Sequence, residues 1–210
     1  MSTSTWPQDP DWFASRLRDQ IDPYVRLTDD QVASLHRHFV LLGRWNAKLN
    51  LTAVRSPEEA VLRHYCEALF FASQIPDAPA GTRFADVGSG AGFPGIPMAI
   101  ARPDWRVTLI ESHQRKGVFL REATRQLGNV EVLSIRAEAV TQNLDWLVSR
   151  AVEPGEVLAL LPGLAPRVGL LIGSNDADQI SGDAKFRIIS STPLPWGSRR
   201  VCLFLVPRGT

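Results

Sequence analysis

The chain of 210 residues is poor in cysteine and has no long apolar run. Its two cysteines, Cys66 and Cys202, stand far apart in apolar surroundings, with no CxxC spacing and no neighbouring histidine pair. That excludes a disulfide scaffold, and buried free thiols in a reducing compartment are expected. No metal site is expected either. No stretch approaches the roughly 18 apolar residues that span a bilayer, and the opening MSTSTWPQDPDWF has neither the basic nor the apolar region of a secretory signal. A cytoplasmic protein without membrane attachment is expected, in which the sequon Asn50-Leu51-Thr52 goes unused. An excess of one charge is also lacking: the net charge is +1, which argues against a protein that coats nucleic acid. The cations are nevertheless uneven. Residues 31–65 hold Arg37, Arg44, Lys48, Arg55 and Arg63 against Glu58 and Glu59, while Asp176, Asp178 and Asp183 gather later.

Hydrophobic residues at 44% and charged residues at 21% are ordinary for a globular chain, and the length suits one domain with an appended element. A helical extension over residues 1–80, packed on a single α/β unit over 81–210, is expected, with disorder confined to the first ten or so residues. Thr28 and Gln31 have the spacing of a capping box, and Val32, Leu35, Phe39 and Leu42 follow at steps of three and four, which predicts a helix over about 29–46. Ser56, Pro57 and Glu59 mark a second start, for a helix that turns Leu62, Tyr65, Leu69 and Ala72 inward and ends near Ile75-Pro76. From residue 83 short apolar runs take over, at 84–87, 107–110, 130–135, 146–148, 168–172, 186–189 and 201–206. Helical stretches separate the first four, notably 115–127 before Gly128, so parallel crossovers are expected. Pro193, Pro195 and Gly197 leave no room for a helix between the last two, which predicts an antiparallel terminal hairpin. The fold class is therefore α/β: a Rossmann-like, seven-stranded mixed sheet preceded by N-terminal helices.

The loop after the first strand reads Asp86, Val87, Gly88, Ser89, Gly90, Ala91, Gly92. Glycine without a Cβ lets backbone approach a ligand closely. The spacing is GxGxG, whereas the dinucleotide fingerprint places its third glycine where this chain has Phe93. Pro94 and Pro97 also remove N–H donors that a pyrophosphate would use at the helix start. Asp86 puts a carboxylate at the strand end, which suits a ligand bearing an amine or a positive charge. S-adenosylmethionine carries both. Glu111 ends the next strand, where an acid accepts hydrogen bonds from ribose hydroxyls; NAD shares that ribose, so Glu111 does not discriminate between the two.

Carried by ADVGSGAGFPGIPMAI (85–100), WNAKLNLTAVRSPEEAVLRHY (45–65), TLIESHQRKGVFL (108–120), RAE (136–138) and SRA (149–151), the sequence resembles the RsmG (GidB) methyltransferases. These methylate N7 of a guanine in 16S ribosomal RNA. The resemblance implies the class I S-adenosylmethionine-dependent fold, and cofactor contacts at Gly88, Phe93, Ala137, Glu138 and Arg150 beside the Asp86, Gly90, Gly92 and Glu111 read above. It implies 16S rRNA or a small-subunit precursor as partner, to be met by a monomer. Guanine N7 has a free lone pair, so no general base is expected, and Arg150 is the candidate for positioning both cofactor and substrate. Asn50, Arg55, Arg63 and His64 are candidate RNA or active-site contacts, and Arg199 and Arg200 candidate phosphate contacts. His64 also reads as an interior histidine, Arg55 and Arg63 as solvated charges, Trp45 as core, and the helix with Arg115, Lys116, Arg121 and Arg125 as a solvated face.

Three departures from the family pattern stand out. Ile172-Gly173 replaces a Lys-Gly pair, Glu67-Ala68-Leu69 replaces Asp-Ser-Leu, and 174–183 is short and acidic where a helix is expected. Rival readings are a methyltransferase acting on another RNA site or a small molecule, an NAD-dependent oxidoreductase, and a catalytically silent RNA-binding module.

Overall fold

The computed structural model describes residues 6–197 and 199–208. Both sequence-marked helix starts form through the expected hydrogen bonds. Thr28 Oγ1 accepts from Gln31 N at 3.2 Å and Gln31 Oε1 accepts from Thr28 N at 2.9 Å, closing the capping box of α2 (Asp29–Leu49). Gln31 Nε2 then donates to Ile100 O at 3.0 Å and Ala101 O at 3.1 Å, which ties this helix start to the end of a later helix. Ser56 caps α3 (Pro57–Ala60) by accepting from Glu59 N at 3.2 Å. The helix does not run on regularly: a π-helical turn, Val61–Cys66, interrupts it before α4 (Glu67–Ser73). Such turns are rare and concentrate at functional sites. Here the turn carries His64, and Glu67 follows it.

Within the expected helical extension the chain also forms α1 (Pro10–Ile21), capped by Asp9, which buries Phe13, Leu17 and Ile21. Disorder was expected through residue 10, of which residues 1–5 lie outside the described part. Trp6 is instead 6% exposed and stacks on Phe39 at 4.8 Å.

The sheet has the order β3-β2-β1-β4-β5-β7-β6. Its strands are β1 (Arg83–Val87), β2 (Arg106–Ile110), β3 (Val130–Leu133), β4 (Trp146–Arg150), β5 (Val168–Gly173), β6 (Phe186–Pro193) and β7 (Arg200–Pro207). The first five pair in parallel, while β7 runs antiparallel to both β5 and β6. Alternate residues feed two cores. Phe84, Trp146, Val148, Cys202 and Phe204 join the core shared with α1 to α4, with α5 (Gly95–Ala101) and with α6 (Gln114–Ala123). Ala85, Val87, Leu147, Leu203 and Leu205 face the other, with Val157 of α7 (Pro154–Leu158) and with Ala177 and Ile180 of α8 (Ser174–Ser181). The N-terminal helices and one sheet face thus bury a continuous core.

Two expectations need correction. Helix α6 stops at Ala123 rather than Leu127, where Thr124 bonds its hydroxyl back to Leu120 O at 2.8 Å and the chain turns. The acidic 174–183 segment does form a helix, α8, because Ala177 and Ile180 stand three apart and both are buried while Asp176 and Asp178 remain outside the core. Both cysteines are buried free thiols, and burial pushes the Cys202 thiol up to about 12.

Candidate active site

The carboxyl ends of the parallel strands open on two adjoining cavities, at the edge where open α/β sheets bind ligands. The larger, 550 Å³, is walled by Gly88, Ser89, Gly90 and Phe93 of the glycine loop, by Thr52 and His64, and by Arg150 and Arg200. The smaller, 230 Å³, is walled by Glu111, Ala137 and Glu138 with Ile135 and Leu160. Gly88 and Val152 belong to both.

Loop geometry requires glycine. Gly88, Gly90 and Gly92 have φ of +71, +56 and +88°, and a Cβ on Gly88 would stand 2.4 Å from Val152 Cγ2. The loop is pinned to the end of β2: Gly88 N and Ser89 N donate to Ile110 O at 2.9 and 3.0 Å, and Gly90 N donates to Glu111 Oε2 at 3.0 Å. Glu111 Oε1 accepts from His113 N at 2.8 Å. A carboxylate oxygen accepts more than one bond, so both retain capacity for ligand hydroxyls.

Asp86 and Gly92 do not stand where a ligand contact was expected. Strand alternation turns Asp86 to the same face as Phe84, under the loop rather than into the cleft. It is 0% exposed, and Oδ2 accepts from Gly95 N at 3.0 Å while Oδ1 has no partner. Burial raises its carboxyl to about 7, with the Gly95 bond pulling the other way. Asp86 therefore anchors the start of α5 and lies outside the walls of both cavities. Gly92 is buried against Ile96 and shapes the loop from behind.

Phe93 sits in a ring of aromatics contributed by the N-terminal helices: His64 stacks on it at 4.8 Å, and His38 and Tyr65 approach at 5.2 and 5.1 Å. His38 is held neutral, with burial lowering its pKa to about 4. Its Nδ1 accepts from the Tyr65 hydroxyl at 2.9 Å and its Nε2–H donates to Ala91 O at 3.0 Å. Helix α2 thereby grips the glycine loop from behind.

Arg150 ends β4 and donates from Nη1 to His64 Nδ1 at 2.9 Å, while Nη2 lies 3.3 Å from Glu67 Oε2. His64 then donates Nε2–H to Thr52 Oγ1 at 2.7 Å. Burial first, and the Arg150 charge second, hold His64 well below the usual imidazole range. Burial lowers the Arg150 guanidinium only to about 10, so it stays cationic at neutral pH.

The other candidates divide. Ala137 and Glu138 wall the smaller cavity, and His64 and Arg200 the larger. Asn50, Arg55 and Arg63 are not in either wall. Asn50 is the exposed left-handed cap of α2, Arg55 is exposed with its carbonyl accepting from Trp6 Nε1 at 3.2 Å, and Arg63 pairs with Glu59 at 3.0 Å in solvent. Between Asn50 and Arg55 it is Leu51, Thr52 and Ala53 that line the cavity, and next to Arg63 on the π-helical turn it is His64. Exposed Arg199 uses its carbonyl to accept from Ser174 N. Trp45 packs on Phe119 at 5.8 Å, as core. Lys116, read as part of a solvated face, lines the larger cavity, and so do Thr52, Val152 and Asp176, which the sequence did not flag. Nothing in periodicity marks Thr52 or Val152, which lie outside helices and strands.

The sheet order, reversed last strand and glycine loop define the class I methyltransferase fold. Two solved structures share it: a ribosomal protein L11 methylase from Lactobacillus delbrueckii subsp. bulgaricus and the 23S rRNA methyltransferase ErmE. The first has a TM-score of 0.53 and 17% identity over 70% of this chain and 80% of that one. The second has a TM-score of 0.52 and 14% identity over 68% and 67%. The chain belongs to the GidB family, rRNA small subunit methyltransferase G, whose model matches residues 31–170. Relatives named ribosomal RNA small subunit methyltransferase G include one from Nitrosospira multiformis, 43% identical over 66% of this chain and 64% of the relative. Another, from Nitrosomonas europaea, is 45% identical over 65% of each. The similarity thus spans a little under two thirds of these relatives' length. Among the described residues no helix is long and apolar enough to cross a membrane.

Proposed function

We propose that the protein transfers the methyl group of S-adenosylmethionine to N7 of a guanine in 16S ribosomal RNA, in the cytoplasm. Beyond family membership, one observation carries this reading: the glycine loop lies between a small, partly apolar cavity walled by Glu111 and a larger one rimmed by Arg150, His64 and Phe93. An adenosine fits the first and a base the second. Glu111 would accept the ribose hydroxyls, Ala137 with Ile135 and Leu160 would cover adenine, and Glu138 would close that end. Gly88, Gly90 and Phe93 would line the path between the cavities, with Val152 over Gly88. When bound, S-adenosylmethionine supplies a methyl group on an electron-poor sulfonium.

The acceptor N7 carries a free lone pair, so the protein has to align rather than deprotonate. Its own hydrogen bonds suit that task. Both His64 nitrogens are engaged, Nδ1 by Arg150 and Nε2 by Thr52, so neither is free to take a proton. Neutral His64 stacked on Phe93 offers a flat wall to a splayed base without adding charge against the cationic purine product. Arg150, fixed by Glu67 and His64, orients both reactants. Asn50, Arg55 and Arg63, exposed outside the cavity wall, would meet RNA beyond the target base.

Purified protein is expected to methylate small-subunit particles, and 16S RNA from cells with the gene should contain N7-methylguanine that is missing without it. An unchanged level would sink the ribosomal assignment and favour another RNA site or a small molecule. Arg150→Ala should lower kcat/KM about 100-fold, the loss typical of a misaligned reactant. Calorimetric titration that detects no S-adenosylmethionine binding would overturn the cofactor.

A further inference from the structure

Beside the cavity lies a buried carboxylate that does more than fix Arg150. Glu67 is 3% exposed, at the first turn after the π-helical turn. A single oxygen, Oε2, meets two guanidiniums: Arg200 Nη1 at 2.5 Å and Arg150 Nη2 at 3.3 Å. The two arginines come from distant parts of the chain. Arg150 ends a parallel strand. Arg200 begins β7, which runs the other way, so its first residue falls at the same sheet edge, opposite Gly173 in the β5 register. Arg200 also lies outside residues 31–170, the span of the family match. Its side chain is 25% exposed against 10% for Arg150, so it is the outer member of the pair.

Two guanidiniums sharing one carboxylate repel each other, and the carboxylate between them offsets one of the charges. The remaining titratable groups in the cavity wall are Lys116 and Asp176, of opposite sign, and His64, which is neutral. The rim is left with an excess of one positive charge. Arg has five N–H donors, and Arg200 spends them on Glu67 and on one long contact to Leu171 O at 3.5 Å, so donors remain for a ligand. A planar cation with free donors at the mouth of a base-sized cavity suits a phosphodiester oxygen.

We infer that Glu67 is a positioning residue that holds Arg200 beside Arg150, and that Arg200 so held binds one backbone phosphate of the RNA next to the target base. This rests on the RNA-methyltransferase reading. The test is a double-mutant cycle of Glu67→Gln, Arg200→Gln and the double variant. It measures KM for small-subunit particles at several salt concentrations with S-adenosylmethionine saturating, and S-adenosylmethionine affinity by calorimetry. Arg200→Gln should raise KM about tenfold, the effect of losing one charge-assisted hydrogen bond, and should reduce the salt slope by about one. Glu67→Gln should do the same, and the double variant should be no worse than either single within about twofold.

Additive effects would overturn the inference, because Glu67 would then act independently of Arg200. Unchanged or tighter RNA binding in Glu67→Gln, as simple removal of a negative charge would give, would overturn it too. A Glu67→Gln variant that loses cofactor affinity and stability together would show a merely structural role; Arg200→Gln, whose side chain is partly exposed, still tests the phosphate contact by itself. If wild type methylates no RNA, the functional reading fails first and is recognised as such.

Discussion

Gly88→Ala is expected to weaken S-adenosylmethionine binding about 300-fold. Two costs combine. A left-handed backbone at φ +71° costs an alanine roughly 1–2 kcal/mol, and forcing its Cβ to 2.4 Å from Val152 Cγ2 adds the roughly 1–3 kcal/mol of an overpacked site. The costs sum to about 3.5 kcal/mol at mid-range, and at about 1.4 kcal/mol per factor of ten that is about two and a half powers of ten. The cost falls on the ligand because relief requires Val152 or the loop to move, and both wall the two cavities. Gly90→Ala is the control. Gly90 has φ of +56°, but a methyl group there would meet no atom nearer than 3.7 Å, so only the backbone cost applies and the loss should be about tenfold. Calorimetric titration of both variants measures the difference. A Gly88→Ala variant within about threefold of wild type would show that Val152 does not confine the cofactor path.

Much of this site was legible because its elements obey local rules. The capping box at Thr28 and Gln31, the Ser56-Pro57 start and the period-two strands depend on near neighbours, and they formed as spelled. Glu111 could be placed at a strand end because β2 is a short apolar run with a definite close. What the sequence left ambiguous depends on partners distant in the chain. His64 is buried, as its interior reading has it, and also forms part of the cavity wall, where it bonds Arg150 at 86 residues' separation. Glu67 and Arg200 are 133 residues apart, and only the β5–β7 register brings them together. The π-helical turn leaves no mark in apolar spacing, which continues across it. Asp86 is a different case: Phe84 and Asp86 are two residues apart on one strand, so alternation already put the carboxylate on the helix-covered face.

That buried carboxylate leads to a pH-dependent result. Asp86 titrates at about 7 in the folded chain, against 3.8 for an aspartate in water. A group whose pKa is raised by folding stabilises the fold below its unfolded pKa, and the contribution is lost as pH rises through the folded value. Between about pH 4 and pH 7 wild type should therefore lose roughly 4 kcal/mol at this position, since a tenfold change in proton affinity corresponds to about 1.4 kcal/mol. His38 and His64 work in the opposite sense, because their pKa values are lowered by burial: their contribution is complete above about pH 6.5 and fades on acidification. Wild type alone thus shows a partly cancelled profile. Asp86→Asn removes the aspartate's contribution and leaves those of the histidines, and an asparagine oxygen can still accept from Gly95 N. Urea unfolding at pH 5 and pH 8 should find the variant gaining about 3 kcal/mol of stability relative to wild type between the two. A constant difference would mean that Asp86 is ionised throughout, and that the α5 start compensates a full buried charge through the Gly95 hydrogen bond.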